Sequence, residues 1–338
     1  MNSRLLISVL IGFLPVFCNE EQTTSVTGIP APASHDCSFA ELDSLSLTAI
    51  YDGNGAKIPD TSANSDSVAW TIINPRDQPS FNGLGRYSDC SGTLIDTKGT
   101  DTKAPAYVLT NGHCVGSSLL EPSAVVINKS EAAGKNMFPS YYVENVRSKN
   151  LKAYPAQSIA FASMNGTDVG LVALSTSLAA LKSLGYCSYP LAHTRPSEGT
   201  EIFIGGVPMS GINASLLGLH YAHCTMGKTV SVWEGDYRFL DSFRHRCSIL
   251  GGNSGSAIFD RHSKEIVGVV NTTVNDSADG QAACSLNHPC EKSTNGTTST
   301  DYLDNYGQYI DFLAACFTPE GYFDATLDSC GIKEKFGE

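Results

Sequence analysis

Beyond its first residues, the 338-residue sequence has no apolar stretch approaching the ~18 residues that a membrane-spanning helix needs. It also lacks the surplus of positive charge that a nucleic-acid binder carries: 22 Lys and Arg stand against 34 Asp and Glu, a formal net charge of −12. An acidic balance otherwise says little about partners, since it often serves only solubility. Helical periodicity is scarce as well. It is found only near the end, where Tyr309, Phe312, Leu313, Cys316 and Phe317 stand at i, i+3, i+4, i+7 and i+8 and predict a C-terminal helix. No internal repeat is visible.

What the chain has instead is short apolar runs between turns, at 68–73, 93–95, 107–109, 125–127 and 169–174, then at 202–204, 229–233, 257–259 and 266–270. With 31 Gly, 15 Pro and 41% hydrophobic residues, this spacing reads as an all-β sandwich or barrel, with enough apolar material for real cores. The Pro- and Gly-bearing stretch 190–199 is the expected joint between two halves.

Residues 1–18 read as a signal peptide, with Arg4 before an apolar segment too short to span a bilayer and small residues before a cut at Asn19. A lipid anchor on Cys18 is the competing reading, disfavoured by the bulk of Phe17. The mature chain is therefore expected to be secreted, with the periplasm as the alternative, and free of the membrane. Ten of the eleven cysteines remain after Cys18, an even number suited to an oxidising compartment. Six Asn-x-Ser/Thr sequons, at Asn128, Asn165, Asn213, Asn271, Asn275 and Asn295, fit export without proving it. Residues 19–62, rich in Thr, Ser, Ala and Pro, read as an N-terminal leader or pro-segment with Cys37 as its fixed point.

The chemistry concentrates in three places. Gly251-Gly252-Asn253-Ser254-Gly255-Ser256 is a tight turn of small residues able to present a serine between free amides. The run 107–114 delivers His113 at the end of a buried-strand pattern; if it pairs with the run from Cys90, then Cys90 and Cys114 meet and staple the histidine's loop. Thr167-Asp168-Val169-Gly170-Leu171-Val172 places one carboxylate at the mouth of an apolar strand, where burial is costly without a partner.

In this order, Cys-Ser-Gly-Thr-Leu-Ile, Leu-Thr-Asn-Gly-His-Cys, Asp-Val-Gly-Leu-Val and Gly-Asn-Ser-Gly-Ser resemble the trypsin/chymotrypsin-like serine proteases, and the last motif resembles their bacterial-type members. The resemblance spans roughly residues 68–317 and is specific only at these motifs. It implies two antiparallel six-stranded β-barrels with the site in the cleft between them. It also implies His113 as general base, Asp168 as the group orienting it, Ser254 as nucleophile, and the N–H groups of Gly252 and Ser254 as oxyanion hole. The α/β-hydrolase order needs a histidine after the acid and offers only His262 and His288 beyond Ser254; subtilisin order puts the acid before the histidine.

On that template the chain divides into 1–18 signal, 19–62 leader, 63–189 first barrel with His113 and Asp168, 190–317 second barrel with Ser254 and a C-terminal helix, and 318–338 as a disulfide-tied tail. Ser248 falls at the base of the S1 pocket, with Asn271 and Thr273 on its wall, and Asp301 or Asp304 in reach of it or solvated. Asn253 replaces the aspartate that receives a new N-terminus in digestive relatives, and Gly112 stands where alanine is usual, read as a harmless change. The suggested disulfides are Cys90–Cys114, Cys37–Cys187 as in relatives, Cys284–Cys290, Cys316–Cys330 and the remaining Cys224–Cys247. A zinc site from His220, His223, Cys224, His245 and Cys247 is the rival use of those cysteines, and no metal or other cofactor is expected. The resulting expectation is a monomeric secreted serine endopeptidase acting on protein or peptide substrates, with an inactive homologue that binds partners as the alternative.

Overall fold

The computed structural model describes residues 37–49, 69–116, 120–130, 135–210, 212, 216–273, 283–293, 295–300 and 304–337. The expected signal segment and most of the expected leader lie outside them, as does Asp301. Six strands of the first half are β1 (Leu84–Tyr87), β2 (Cys90–Leu94), β3 (Pro105–Thr110), β4 (Asn136–Pro139), β5 (Tyr154–Ser163) and β6 (Val169–Ser177). They pair antiparallel in the order β6–β3–β2–β1–β4–β5, and β5 returns to β6 to close a barrel.

The second half contributes β7 (Glu201–Gly206), β8 (His220–Glu234), β9 (Tyr237–His245), β10 (Ala257–Asp260), β11 (Ile266–Thr273) and β12 (Asn305–Tyr309). Their order is β8–β7–β10–β11–β12–β9, with the long β8 serving both ends: residues 220–225 pair with β7 and residues 226–234 with β9. The strand Ala69–Ile72, expected in the first barrel, instead pairs with β8 through Ile72 and His220. Its Trp70 is buried in the second half's core and donates its indole N–H to the Ser248 carbonyl at 2.7 Å, which a first-barrel position would forbid.

The apolar runs lack alternation because both faces of these strands are covered. Along β6, Val169, Leu171 and Ala173 enter the core shared by the two halves, while Val172 and Leu174 enter the first barrel's own core. The second half repeats the device: Phe203 and Phe259 stack at 4.7 Å in the shared core, while Ile202, Ile204 and Ile258 turn to the other side. Side chains alternate strictly along a strand, so a continuous apolar run feeds two cores at once.

One further expectation is corrected here. The 309–317 run is not a helix: Tyr309 ends β12, and only Asp311–Leu313 forms a 3-10 turn before Cys316 is tied to Cys330. The chain does end in a helix, but a five-residue one at Ile332–Phe336. The part of the expected leader that is described, residues 37–49, packs into the fold. Phe39 and Leu42 are buried in the shared core, and Thr48–Ala49 pairs with Ala69–Ile72. The apolar side chains in 37–49 fill a gap that the two halves leave open.

Candidate active site

The histidine's position follows from a close backbone approach. β3 runs into Asn111 and a 3-10 turn, Gly112–Cys114. A Cβ on Gly112 would lie 2.1 Å from the Ser163 carbonyl oxygen and 3.1 Å from Asp168 Oδ1. Alanine, usual at this position in relatives, would in this chain push the histidine's turn off β5. Asn111 adds a second tie by donating its side-chain N–H to the Asp168 carbonyl at 2.7 Å.

Asp168 is almost fully buried, and His113 satisfies it twice: the backbone N–H bonds Oδ1 at 3.0 Å and Nδ1 bonds Oδ2 at 2.6 Å. This bidentate hold fixes both the tautomer and the plane of the ring. Burial alone would pull the His113 pKa down, but the Asp168 charge and hydrogen bond, with the charge of Glu234 behind them, outweigh it and raise the value above the ordinary 6.5. His113 Nε2 lies 3.8 Å from Cys90 Sγ.

The Ser254 loop comes from the second half and is docked on the first. The Ser91 N–H donates to the Ser254 carbonyl at 2.8 Å, and the Gly255 N–H donates to Val270 at 3.0 Å. Ser91 and His113 flank the same Cys90–Cys114 disulfide, so this bond brings Ser254 to the histidine's side of the cleft. No hydrogen bond joins Ser254 Oγ to His113 Nε2; such contacts are often loose before substrate binds and tighten afterwards. Gly252 has φ of 100°, a backbone that β-carbon residues avoid, and a Cβ there would meet Met209 N at 2.5 Å. Within the described residues, neither the Gly252 nor the Ser254 N–H is engaged by a protein acceptor.

Asn253 is buried, and its amide is used inside the loop: Oδ1 accepts the Leu250 N–H at 3.1 Å and Nδ2 reaches Ser256 Oγ at 3.4 Å. Asn271 does not reach Asp168; its Nδ2 is buried without a partner. Ser248 is buried and follows Cys247, whose carbonyl accepts from Asn305 at 2.9 Å; Asn305 in turn accepts from the Thr273 hydroxyl. Asp304 is not solvated: it is buried and paired with Arg246 at 2.8 Å and Arg244 at 3.4 Å.

The disulfides are Cys37–Cys187, Cys90–Cys114, Cys224–Cys247, Cys284–Cys290 and Cys316–Cys330, the pairings that the sequence suggested. Ligand atoms of Cys224, His245 and Cys247 lie within 4.8 Å of one another, but the two sulfurs are bonded together and are not thiolates. His245 stays neutral, since burial drives its pKa down to about 3.

One participant escaped the sequence. Glu234, at the end of β8, is buried beside this centre, where it accepts the Asn287 N–H at 2.8 Å and a hydrogen bond from Thr272. Burial raises its pKa. In the sequence it opens a Glu-Gly-Asp turn, which carries no sign of burial.

A family model described as a trypsin-like peptidase domain matches residues 90–269, more than half of the chain, and spans all three motifs. The chain belongs to this trypsin-like peptidase family. No curated protein sequence matches it significantly. Among solved structures, human heparin binding protein is 14% identical over 73% of this chain and 93% of its own, with a TM-score of 0.45. A thermostable serine protease, AL20, from an extremophilic microorganism is 15% identical over 68% and 91%, with a TM-score of 0.42. A Glu endopeptidase is 21% identical over 72% and 91%, with a TM-score of 0.38. In this trypsin-like peptidase, then, the histidine and aspartate lie on one barrel and the serine loop on the other. Among the described residues no helix is long and apolar enough to cross a membrane.

Proposed function

We propose that the chain is a secreted serine endopeptidase that cleaves peptide bonds through an acyl-enzyme. The observation that carries this reading is the doubly hydrogen-bonded His113–Asp168 pair, with a serine loop of two unengaged amides docked on the same barrel through Ser91. Ser254 Oγ attacks the scissile carbonyl carbon while its proton passes to His113 Nε2. The negative charge that develops on the carbonyl oxygen takes the N–H groups of Gly252 and Ser254. Collapse expels the amine, which leaves with the proton from Nε2. Water then repeats the sequence on the ester, with His113 again as base, and frees the acid and Ser254.

A fluorophosphonate tests the assignment. The folded, oxidised chain is expected to be labelled at Ser254, as mapped by peptide mass spectrometry, and Ser254→Ala to remain unlabelled. An unlabelled wild-type chain would mean that the protease reading is wrong and would favour a binding protein.

The pH profile supplies an independent check. His113 accepts a proton only when neutral, so kcat/KM is present above its pKa and lost below it. A raised pKa places the midpoint of the acid limb above the ordinary ~6.5. Glu234→Gln removes one of the charges that raise it, so the midpoint should move to lower pH. A limb that does not move would show that Glu234 is not felt at the histidine.

A further inference from the structure

A serine protease whose oxyanion loop carries Asn253 has no carboxylate there to meet a terminal ammonium, so something else must hold the loop in shape. Three successive peptide planes define that shape, and each is held by its carbonyl. The Gly251 carbonyl accepts the N–H groups of Met209 at 2.7 Å and Ser210 at 3.0 Å. The Asn253 carbonyl accepts the Ser256 N–H at 2.9 Å. Across a trans peptide the C=O and N–H point in opposite directions. Fixing these two carbonyls therefore turns the Gly252 and Ser254 N–H groups the other way, as a pair.

The plane between them, Gly252–Asn253, decides whether the two donors converge. Its carbonyl is held from the other barrel: Ser91 Oγ donates to the Gly252 carbonyl at 2.9 Å and accepts the Val207 N–H at 2.8 Å. Ser91 is itself 1% exposed and is fixed on both sides of its backbone, its N–H on the Ser254 carbonyl and its carbonyl on Thr110 Oγ1 at 2.8 Å. A hydroxyl so placed has one orientation that satisfies both neighbours, and that orientation locks the central plane.

We propose that Ser91 is a positioning residue for the oxyanion hole, holding the Gly252–Asn253 peptide from the first barrel so that the hole is formed without a new N-terminus. The inference rests on the serine protease reading above. Without the hydroxyl, the Gly252 carbonyl loses its donor and the plane is held only at its other end, by the Asn253 N–H on the Leu250 carbonyl at 3.0 Å, so it can tilt and misalign the donors on either side of it. Substrate contacts elsewhere in the cleft are untouched. The loss therefore falls on the transition state, where the charge develops, rather than on substrate binding.

The experiment compares Ser91→Ala and Ser91→Gly with the wild-type chain, using a small peptide ester and a peptide boronate as tetrahedral mimic. The glycine variant leaves space for water and gives a second chance of a folded protein; either variant decides. We expect kcat to fall roughly 10- to 100-fold, with KM within about twofold and boronate affinity weakened by the same factor as kcat. The acid-limb midpoint should not move, and Ser91→Thr, which keeps the hydroxyl, should recover most of kcat. Tyr107→Phe, which deletes a buried hydroxyl bonded to the Phe323 N–H at 2.9 Å, controls for stability alone and should leave kcat unchanged. A lowered melting temperature with unchanged kcat in the Ser91 variants would make Ser91 a structural residue and overturn the proposal. A shifted acid limb would overturn it too, by tracing the loss to His113. Failure of the wild-type chain to label at Ser254 would instead remove the reading on which the proposal rests.

Discussion

Asp168→Asn is expected to lower kcat about 10⁴-fold while leaving the fold and KM close to wild type. The size follows from how the carboxylate is used. Its two oxygens each accept one N–H of His113, from the backbone and from Nδ1. Asparagine offers one oxygen and one NH₂ in the same space. The backbone N–H cannot change its nature, so the oxygen goes to it and the NH₂ faces Nδ1. That nitrogen must then accept, which moves the ring proton to Nε2, the atom needed to take the Ser254 proton. The enzyme is left well folded with the wrong tautomer. Steady-state kinetics and a thermal melt on the purified variant check this; a loss below about tenfold would show that Asp168 does not orient the base.

Phe39→Ala should lower unfolding free energy by about 3–5 kcal/mol, the usual cost of removing a buried aromatic ring. Phe39 stacks on Tyr189 at 5.2 Å and meets Phe81, Phe203 and Phe259 edge-on at 4.9, 5.0 and 5.2 Å, so it touches both halves of the molecule. It does so from a left-handed backbone, φ 57°, which a bulky residue tolerates only when its surroundings repay the strain. Here the Phe39 N–H is bonded to Ser80 Oγ at 3.2 Å and the ring is closed in on every side. Denaturant unfolding measures the effect. A loss under about 1 kcal/mol would mean that 37–49 is a removable leader after all. A cut within 50–68 leaves the segment in place, because the Cys37–Cys187 disulfide and this ring both hold it.

The sequence made legible those elements whose burial is uniform. Runs such as Val169 to Leu174 and Ala257 to Phe259 are apolar on both faces, and they became strands feeding two cores. The histidine, acid and serine motifs were legible because tight turns restrict which residues fit. The strands that escaped are polar yet buried. β12 reads Asn-Tyr-Gly-Gln-Tyr and is fully enclosed, since Gln308 Nε2 bonds Ser242 Oγ at 2.7 Å and its Oε1 accepts the Thr167 hydroxyl at 3.0 Å. Satisfaction of that kind depends on partners 53 to 141 residues away, as does the burial of Asp304 and Glu234, and no local pattern announces it. The helix expected at 309–317 failed for a related reason: a period of 3.6 in five apolar residues does not outweigh a strand pairing at Tyr309 and a disulfide at Cys316.

The serine loop is closed by groups that do not belong to its own barrel. Ser91 holds it from β2, and Thr167, beside Asp168, is bonded to Gln308 of the second half. The halves are therefore not interchangeable modules, although each has its own core. A chimaera that exchanged one barrel for a relative's would inherit a hole whose keystone sits on the discarded piece. Amide hydrogens at this seam, those of Ser91 and Val207 among them, exchange with solvent only when the two barrels part, so loop order and global cooperativity are one property here.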